Sequence, residues 1–197
     1  MRPYRLRNSV LLMVLLAFII AVPFTSALAG EGDQALMDSL LSAAGTEPTL
    51  QEIFDSLGYD IDVVNDELGW EQFCASGEGN VATLLDEISS SYYSASAGWY
   101  DADDSTDKAQ LFGPSNQAND SIFFTALGED FVGFYFIPGI SGGYTWYTNP
   151  AYNRDLFDHA KVYATGQNAA EYLVAFEDLK GGGDQDFNDF IMKVRFA

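Results

Sequence analysis

The spacing of apolar residues changes character near Gly58. Before it, the period is helical. Leu36, Met37, Leu40, Leu41 and Ala44 share one face over 33–45, and Gly45 stands where a helix can close. Thr49 and Glu52 have capping-box spacing, and Leu50, Ile53, Phe54 and Leu57 continue the period, so a second short helix is predicted there, ending at Gly58. From Tyr59 the pattern becomes that of strands. Segments 59–65, 80–89, 108–112, 120–127, 131–137, 143–148, 160–164, 171–177 and 189–196 are rich in Val, Ile, Phe, Tyr and Trp, with Gly, Pro, Asn and Asp between them. Tyr172, Val174 and Phe176 alternate with Leu173 and Ala175, which puts the two sets on opposite faces. No helical stretch falls between the strands, which argues against a parallel α/β fold. The prediction is an all-β chain: an antiparallel β-sandwich or jelly roll with two short N-terminal helices. It divides into a helical N-terminal segment, 30–58, and a β-sandwich domain, 59–197. The Ser-rich stretch 89–98 reads as a loop or an edge.

The first 29 residues change this picture by adding a destination. Arg2, Arg5 and Arg7 precede an apolar run from Val10 to Val22, and Ala27-Leu28-Ala29 offers small residues to a signal peptidase. The run is shorter than the roughly 20 residues a membrane-spanning helix needs. Residues 1–29 are therefore read as a signal peptide cut before Gly30, leaving no stable membrane span. The product is expected to be secreted or periplasmic. All 29 acids and six of the nine Lys and Arg lie beyond the cut, a formal charge of −23 for the remainder. Such a field repels nucleic acid and anionic membrane and attracts divalent cations. Cys74 is the only cysteine, so no internal disulfide can form. It is expected to be a buried, small apolar residue. A bound metal is one alternative source of stability, worth roughly 2.7 kcal/mol at about 100 times its dissociation constant.

Candidate chemistry concentrates in one loop. Glu177, Asp178, Asp184, Asp186, Asn188 and Asp189 surround Gly181-Gly182-Gly183 and lead into the apolar run beginning at Phe190. Oxygen ligands at every second residue (184, 186, 188) can converge on a hard cation if the chain curls, and calcium is the expected ion. The spacing resembles the start of an EF-hand loop. However, Asp189 stands where that loop needs Gly, Arg195 stands where it needs Glu, and no helix flanks it. A β-hairpin loop remains, with Glu177 and Asp178 ending one strand, Asp189 beginning the next and the glycines making the turn. Asp and Asn are also ordinary turn formers. Like charges crowded this closely repel one another, and a cation is the simplest way to hold them together.

The run Phe176-Glu177-Asp178, Gly182-Gly183-Asp184 and Asp186-Phe187-Asn188-Asp189 resembles the signature of domain of unknown function 4114, a β-rich module of secreted and surface-attached bacterial proteins. The similarity extends more loosely to Tyr144-Thr145-Trp146-Tyr147, Asn153 and Asp158-His159, covering about 120–197. It implies a β fold, export and a calcium site, and it names no ligand and no catalytic activity. Members often carry a C-terminal sorting tail, and none is read here beyond the last strand signal, so a freely secreted or periplasmic product is expected. Asn153-Arg154-Asp155-Leu156 also departs from the Asn-Pro-Asp-Gly type of turn common in the family.

The remaining constellations read more simply. Asp101, Asp103, Asp104 and Asp107 are taken as a solvated loop, with a second cation as the alternative. Asn153, Asp155 and Asp158 are candidates to lend ligands to the main site. His159 is the only histidine and no Gly-x-Ser-x-Gly elbow is present, so it reads as structural rather than as part of a triad or a zinc site. Tyr92, Tyr93, Trp99, Tyr100, Tyr144, Trp146, Tyr147 and Tyr152 would suit sugar stacking if they formed an exposed coplanar set. On a strand, only one of Trp146 and Tyr147 can face inward. The functional expectation is a non-catalytic, exported module pinned by calcium, with an envelope, matrix, cell-surface adhesion or glycan-binding role. The alternative is a secreted polysaccharide hydrolase using paired carboxylates.

Overall fold

The computed structural model describes residues 47–75, 78–87, 95–126, 131–139 and 143–197. The predicted signal peptide, its cleavage point and the helix over 33–45 lie outside them, as do Tyr92 and Tyr93. Among the described residues ten strands follow in order: β1 (Phe73–Cys74), β2 (Asn80–Glu87), β3 (Ser96–Asp101), β4 (Asp104–Phe112), β5 (Ser121–Phe124), β6 (Phe131–Ile137), β7 (Trp146–Tyr147), β8 (Ala160–Ala164), β9 (Glu171–Phe176) and β10 (Phe190–Arg195). They form two antiparallel sheets. One has the order β1-β6-β3-β4, with β7 also paired to β6; the other has the order β5-β2-β10-β9-β8.

Alternation explains how the sheets meet. Phe134 and Phe136 of β6 share one apolar cluster with Val174 and Phe176 of β9 and Phe190, Met192 and Val194 of β10. Phe136 stacks on Phe190 with centroids 4.9 Å apart. The other face of the second sheet is not left to water. Leu173, Ala175, Tyr163 and Ile191 form a second cluster with Leu50, Ile53 and Phe54 of helix α1 (Leu50–Ser56). β9 is therefore buried on both sides. Helix α1 has the expected capping box, in which Thr49 and Glu52 satisfy each other's backbone N–H groups. Seven residues are too few for a helix to be stable alone, so its stability comes from this packing. Phe54 meets Tyr163 edge to face at 5.3 Å. No helix among the described residues is long and apolar enough to cross a membrane.

Three expectations are corrected. Residues 59–65 are not a strand: the Asp62 carboxylate accepts from the N–H groups of Val64 and Asn65, curling the chain into a turn, while Tyr59 and Ile61 are buried against the helix side of the sheet. The stretch read as loop or edge contains the start of β3, an interior strand held between β6 and β4. Its acidic continuation is a hairpin, with Asp101 opposite Asp104. Cys74 is exposed rather than buried.

Candidate metal centre

The acidic loop joins β9 to β10, and the ladder sets its geometry. Phe176 and Phe190 are paired residues, so Glu177 and Asp189 follow at the mouth of the hairpin. Asp189 Oδ2 accepts from the backbone N–H of Asp178 at 2.8 Å and closes that mouth. Trp146 Nε1 donates to the Asp178 carbonyl at 2.6 Å, tying the loop to the opposite sheet. The chain then turns through left-handed conformations at Gly181, Gly182 and Gly183, and again at Gln185 and Phe187. Two of the glycines are required by space as well as by φ. A Cβ at Gly182 would enter the Phe157 ring, and one at Gly183 would lie 2.6 Å from Glu177 Oε1.

A second layer holds this turn in place. Asp155 Oδ2 accepts from Gly181 N–H at 2.7 Å and lies 3.1 Å from His159 Nε2. Burial acts to raise the Asp155 carboxyl, but hydrogen bonds from His159, Gly181 and Phe157 outweigh it and hold the group below its ordinary value. His159 is fully buried, lies flat on Trp146 with ring centroids 3.7 Å apart, and has Nδ1 3.0 Å from the Glu177 carbonyl. Asn188 donates its amide to the Pro48 carbonyl at 2.9 Å, fastening the entry to helix α1 onto the loop.

Within this frame three carboxylates converge. One oxygen from each of Glu177, Asp186 and Asp189 lies within 4.8 Å of the others. Glu177 is fully buried. Its Oε1 accepts from Leu179 N–H at 3.2 Å, while its Oε2, also buried, has no hydrogen-bond partner among the described residues. Burial first, and then the charges of Asp184, Asp178 and Asp186, push Glu177 up to about 8. Burial and Asp184 push Asp186 up to about 6. Asp189 is pushed well above the carboxylate range by burial, with Asp178 and Glu177 adding to it. The pocket thus concentrates carboxyl groups that resist ionising together unless a positive ion compensates them.

The six residues singled out from the sequence do not play equal parts. Glu177, Asp186 and Asp189 form the convergent group. Asp178 is buried beside it and contributes backbone contacts on both sides, through its N–H and its carbonyl. Asp184 is exposed and stands outside the group of three, although its charge reaches Glu177 and Asp186. Asn188 is buried, with its amide engaged by Pro48. Asn153 and Asp155 supply support rather than candidate ligands: the Asn153 amide caps Tyr147 and Phe157 backbone groups, and Asp155 holds Gly181 and His159. Asp158 accepts from Ala160 N–H. Sequence reasoning missed the roles of Pro48, Phe157 and the Trp146 indole. Only Trp146 lay within a stretch that drew notice. The proposed aromatic set does not form one exposed surface, because Tyr100 and Trp146 are fully buried.

A family model described as "Domain of unknown function (DUF4114)" matches residues 91–197. No curated protein and no solved structure gives a significant match.

Proposed function

The chain belongs to the family Domain of unknown function (DUF4114), whose description assigns no activity, and we propose its role from the acidic loop: an exported, non-catalytic β-sandwich module whose last hairpin is pinned by calcium. The observation that carries this reading is the buried, unpartnered Oε2 of Glu177, whose carboxylate converges with those of Asp186 and Asp189. A buried acceptor without a donor is costly. Three carboxyl groups around one point can be satisfied by protons or by a hard cation. The donor set is oxygen only, which favours calcium or magnesium over zinc or copper. A loop built from side chains spread over 177–189 suits the larger and more tolerant coordination sphere of calcium. Asp178, Asp184 and backbone carbonyls are within the same loop to complete it.

The carboxylates are read as ligands rather than as an acid–base pair because Glu177 is fully buried, and a general acid must touch its substrate. Export, inferred from the first 29 residues, and a strongly acidic chain fit a setting rich in free calcium, where a cation can replace the disulfides this chain cannot form. An envelope, matrix or adhesive role follows as the setting.

The test is calorimetric titration of calcium and magnesium into the chelated protein, with thermal melts alongside. Calcium should bind and raise the melting temperature, magnesium much less, and Asp186→Asn should remove most of the rise without lowering the chelated melt. Equal melting in calcium and chelator for the parent protein would overturn the reading.

A further inference from the structure

At the end of β9 and β10 remote from the acidic loop, a groove of about 700 Å³ opens beside β1 and the start of β6. Its volume falls within the roughly 300–1,000 Å³ typical of ligand sites. Tyr172 lines it, and Tyr172 stands five residues before Glu177 along extended chain, a separation of roughly 16 Å. The groove and the acidic loop are therefore separate features.

Two large rings at the groove are poorly covered: Trp70 is 47% exposed and Phe131 is 52% exposed. Their surroundings are nevertheless well packed and hydrogen-bonded. Trp70 packs against Tyr172 with centroids 5.4 Å apart. Tyr172 rests on Phe73, which in turn stacks on Phe196 at 5.6 Å. The segment carrying Trp70 is fixed on both sides, because Leu68 N–H donates to the Val162 carbonyl at 2.9 Å and the Glu71 carbonyl accepts from Thr148 Oγ1 at 2.8 Å. Glu71 and Gln72 add exposed hydrogen-bonding groups beside the rings. An exposed ring held by core packing loses little conformational entropy when it is covered.

From this arrangement we infer that the groove is a binding site for a neutral oligosaccharide, with Trp70 as its stacking platform. The C–H faces of a pyranose match an aromatic face, and its hydroxyls need neighbouring donors and acceptors such as Gln72 and Glu71. Charge selects against the anionic competitors. A chain of formal charge −20, with Glu71 in the groove itself, disfavours phosphates, nucleic acid and uronic-acid polymers. This deepens the adhesive reading above by naming a ligand class, and it is independent of the cation.

Cys74 gives the experiment a built-in reporter, since it is exposed, lines the groove and is the only cysteine in the chain. The calcium-loaded protein is titrated with cello-, xylo-, manno- and chito-tetraose and with an oligogalacturonate, following tryptophan emission and the rate of Cys74 alkylation. At least one neutral tetraose should quench emission saturably and slow alkylation roughly tenfold, as expected of a ligand that buries most of its surface. Trp70→Ala should weaken binding by roughly tenfold or more when assayed well below its own melting temperature, whereas Trp70→Phe, which keeps a ring on Tyr172, should retain part of the affinity. A panel with no binder, equal binding by Trp70→Ala, preference for oligogalacturonate, or concentration-dependent self-quenching that marks the face as a contact between copies would each overturn the inference. Repeating the titration in chelator separates the two readings: sugar binding that persists with an unshifted melt counts against calcium alone.

Discussion

Without a cation, Glu177 holds a proton near neutral pH, because burial and its acidic neighbours push it up to about 8 from an ordinary 4.5. Asp186 moves in the same direction, from 3.8 to about 6, so it gives up its proton before neutral pH while Glu177 keeps its own. The sign follows from linkage. The native state binds these protons more tightly than the unfolded chain, so their contribution is fully present below the unfolded values and is lost as pH rises through about 8. Each tenfold difference in proton affinity is about 1.4 kcal/mol. The chelated protein should therefore melt at progressively lower temperature between about pH 5 and pH 8, whereas calcium, replacing the protons, should flatten that slope and bind more tightly as pH rises. Glu177→Gln should raise the chelated melting temperature at the alkaline end and abolish the calcium response. A chelated melt that does not change across this range would refute the account. The sequence revealed the loop but not the rank of its members. Spacing at 184, 186 and 188 treats three side chains as equivalent, as they are in an extended chain. Gln185 and Phe187, however, are left-handed, and each rotates the next side chain. That is why Asp186 turns in and the Asn188 amide reaches Pro48, while Asp184, before both turns, stays in solvent.

The strands show the same limit at the level of the element. Alternation located β6, β8, β9 and β10 because each carries β-branched or aromatic residues on its core face. β3 was hidden because its sequence, Ser-Ala-Gly-Trp-Tyr-Asp, fills the sheet interior with small residues. Their smallness has a use. Gly133 of β6 lies beneath the Tyr100 ring, and Gly98 of β3 lies against Tyr135, so each glycine is a shelf for a tyrosine from the neighbouring strand. Tyr100 is fully buried there, with its hydroxyl 3.3 Å from Thr148 Oγ1 and accepting from Asn149 N–H at 3.2 Å, so the ring cannot simply lift. Gly133→Ala should therefore cost about 1–3 kcal/mol in a urea melt. In a Tyr100→Ala background the same change should cost little, since the two residues share one contact. Additive losses in the double variant would show that the glycine matters for another reason. Conversely, 59–65 had the alternation of a strand, but the Asp62 carboxylate competes for the local N–H groups and wins.

At the scale of the molecule, the unbroken apolar run from Tyr172 to Phe176 already carried the information that β9 is covered on both faces. What covers the second face, helix α1, comes from distant chain: its apolar side packs on the sheet and the Asn188–Pro48 hydrogen bond fastens its entry across 140 residues, which no local pattern encodes. Charge is the other global property, and it acts on every feature described above. A formal charge of −20 opposes compaction through self-repulsion and at the same time concentrates cations at the surface. The two effects respond to salt in opposite directions. Raising monovalent salt from about 0.01 M to about 1 M shortens the screening length from roughly 30 Å to roughly 3 Å. In chelator this should raise the melting temperature, because repulsion is screened. In calcium titrations it should weaken binding by roughly an order of magnitude, because the attracting field is screened too. Calcium-loaded protein, with its most crowded acids neutralised, should show a smaller salt effect on melting than the chelated form. If calcium affinity proved indifferent to salt, the field of the whole chain would have no part in loading the loop, and the buried carboxylates would have to account for the affinity alone.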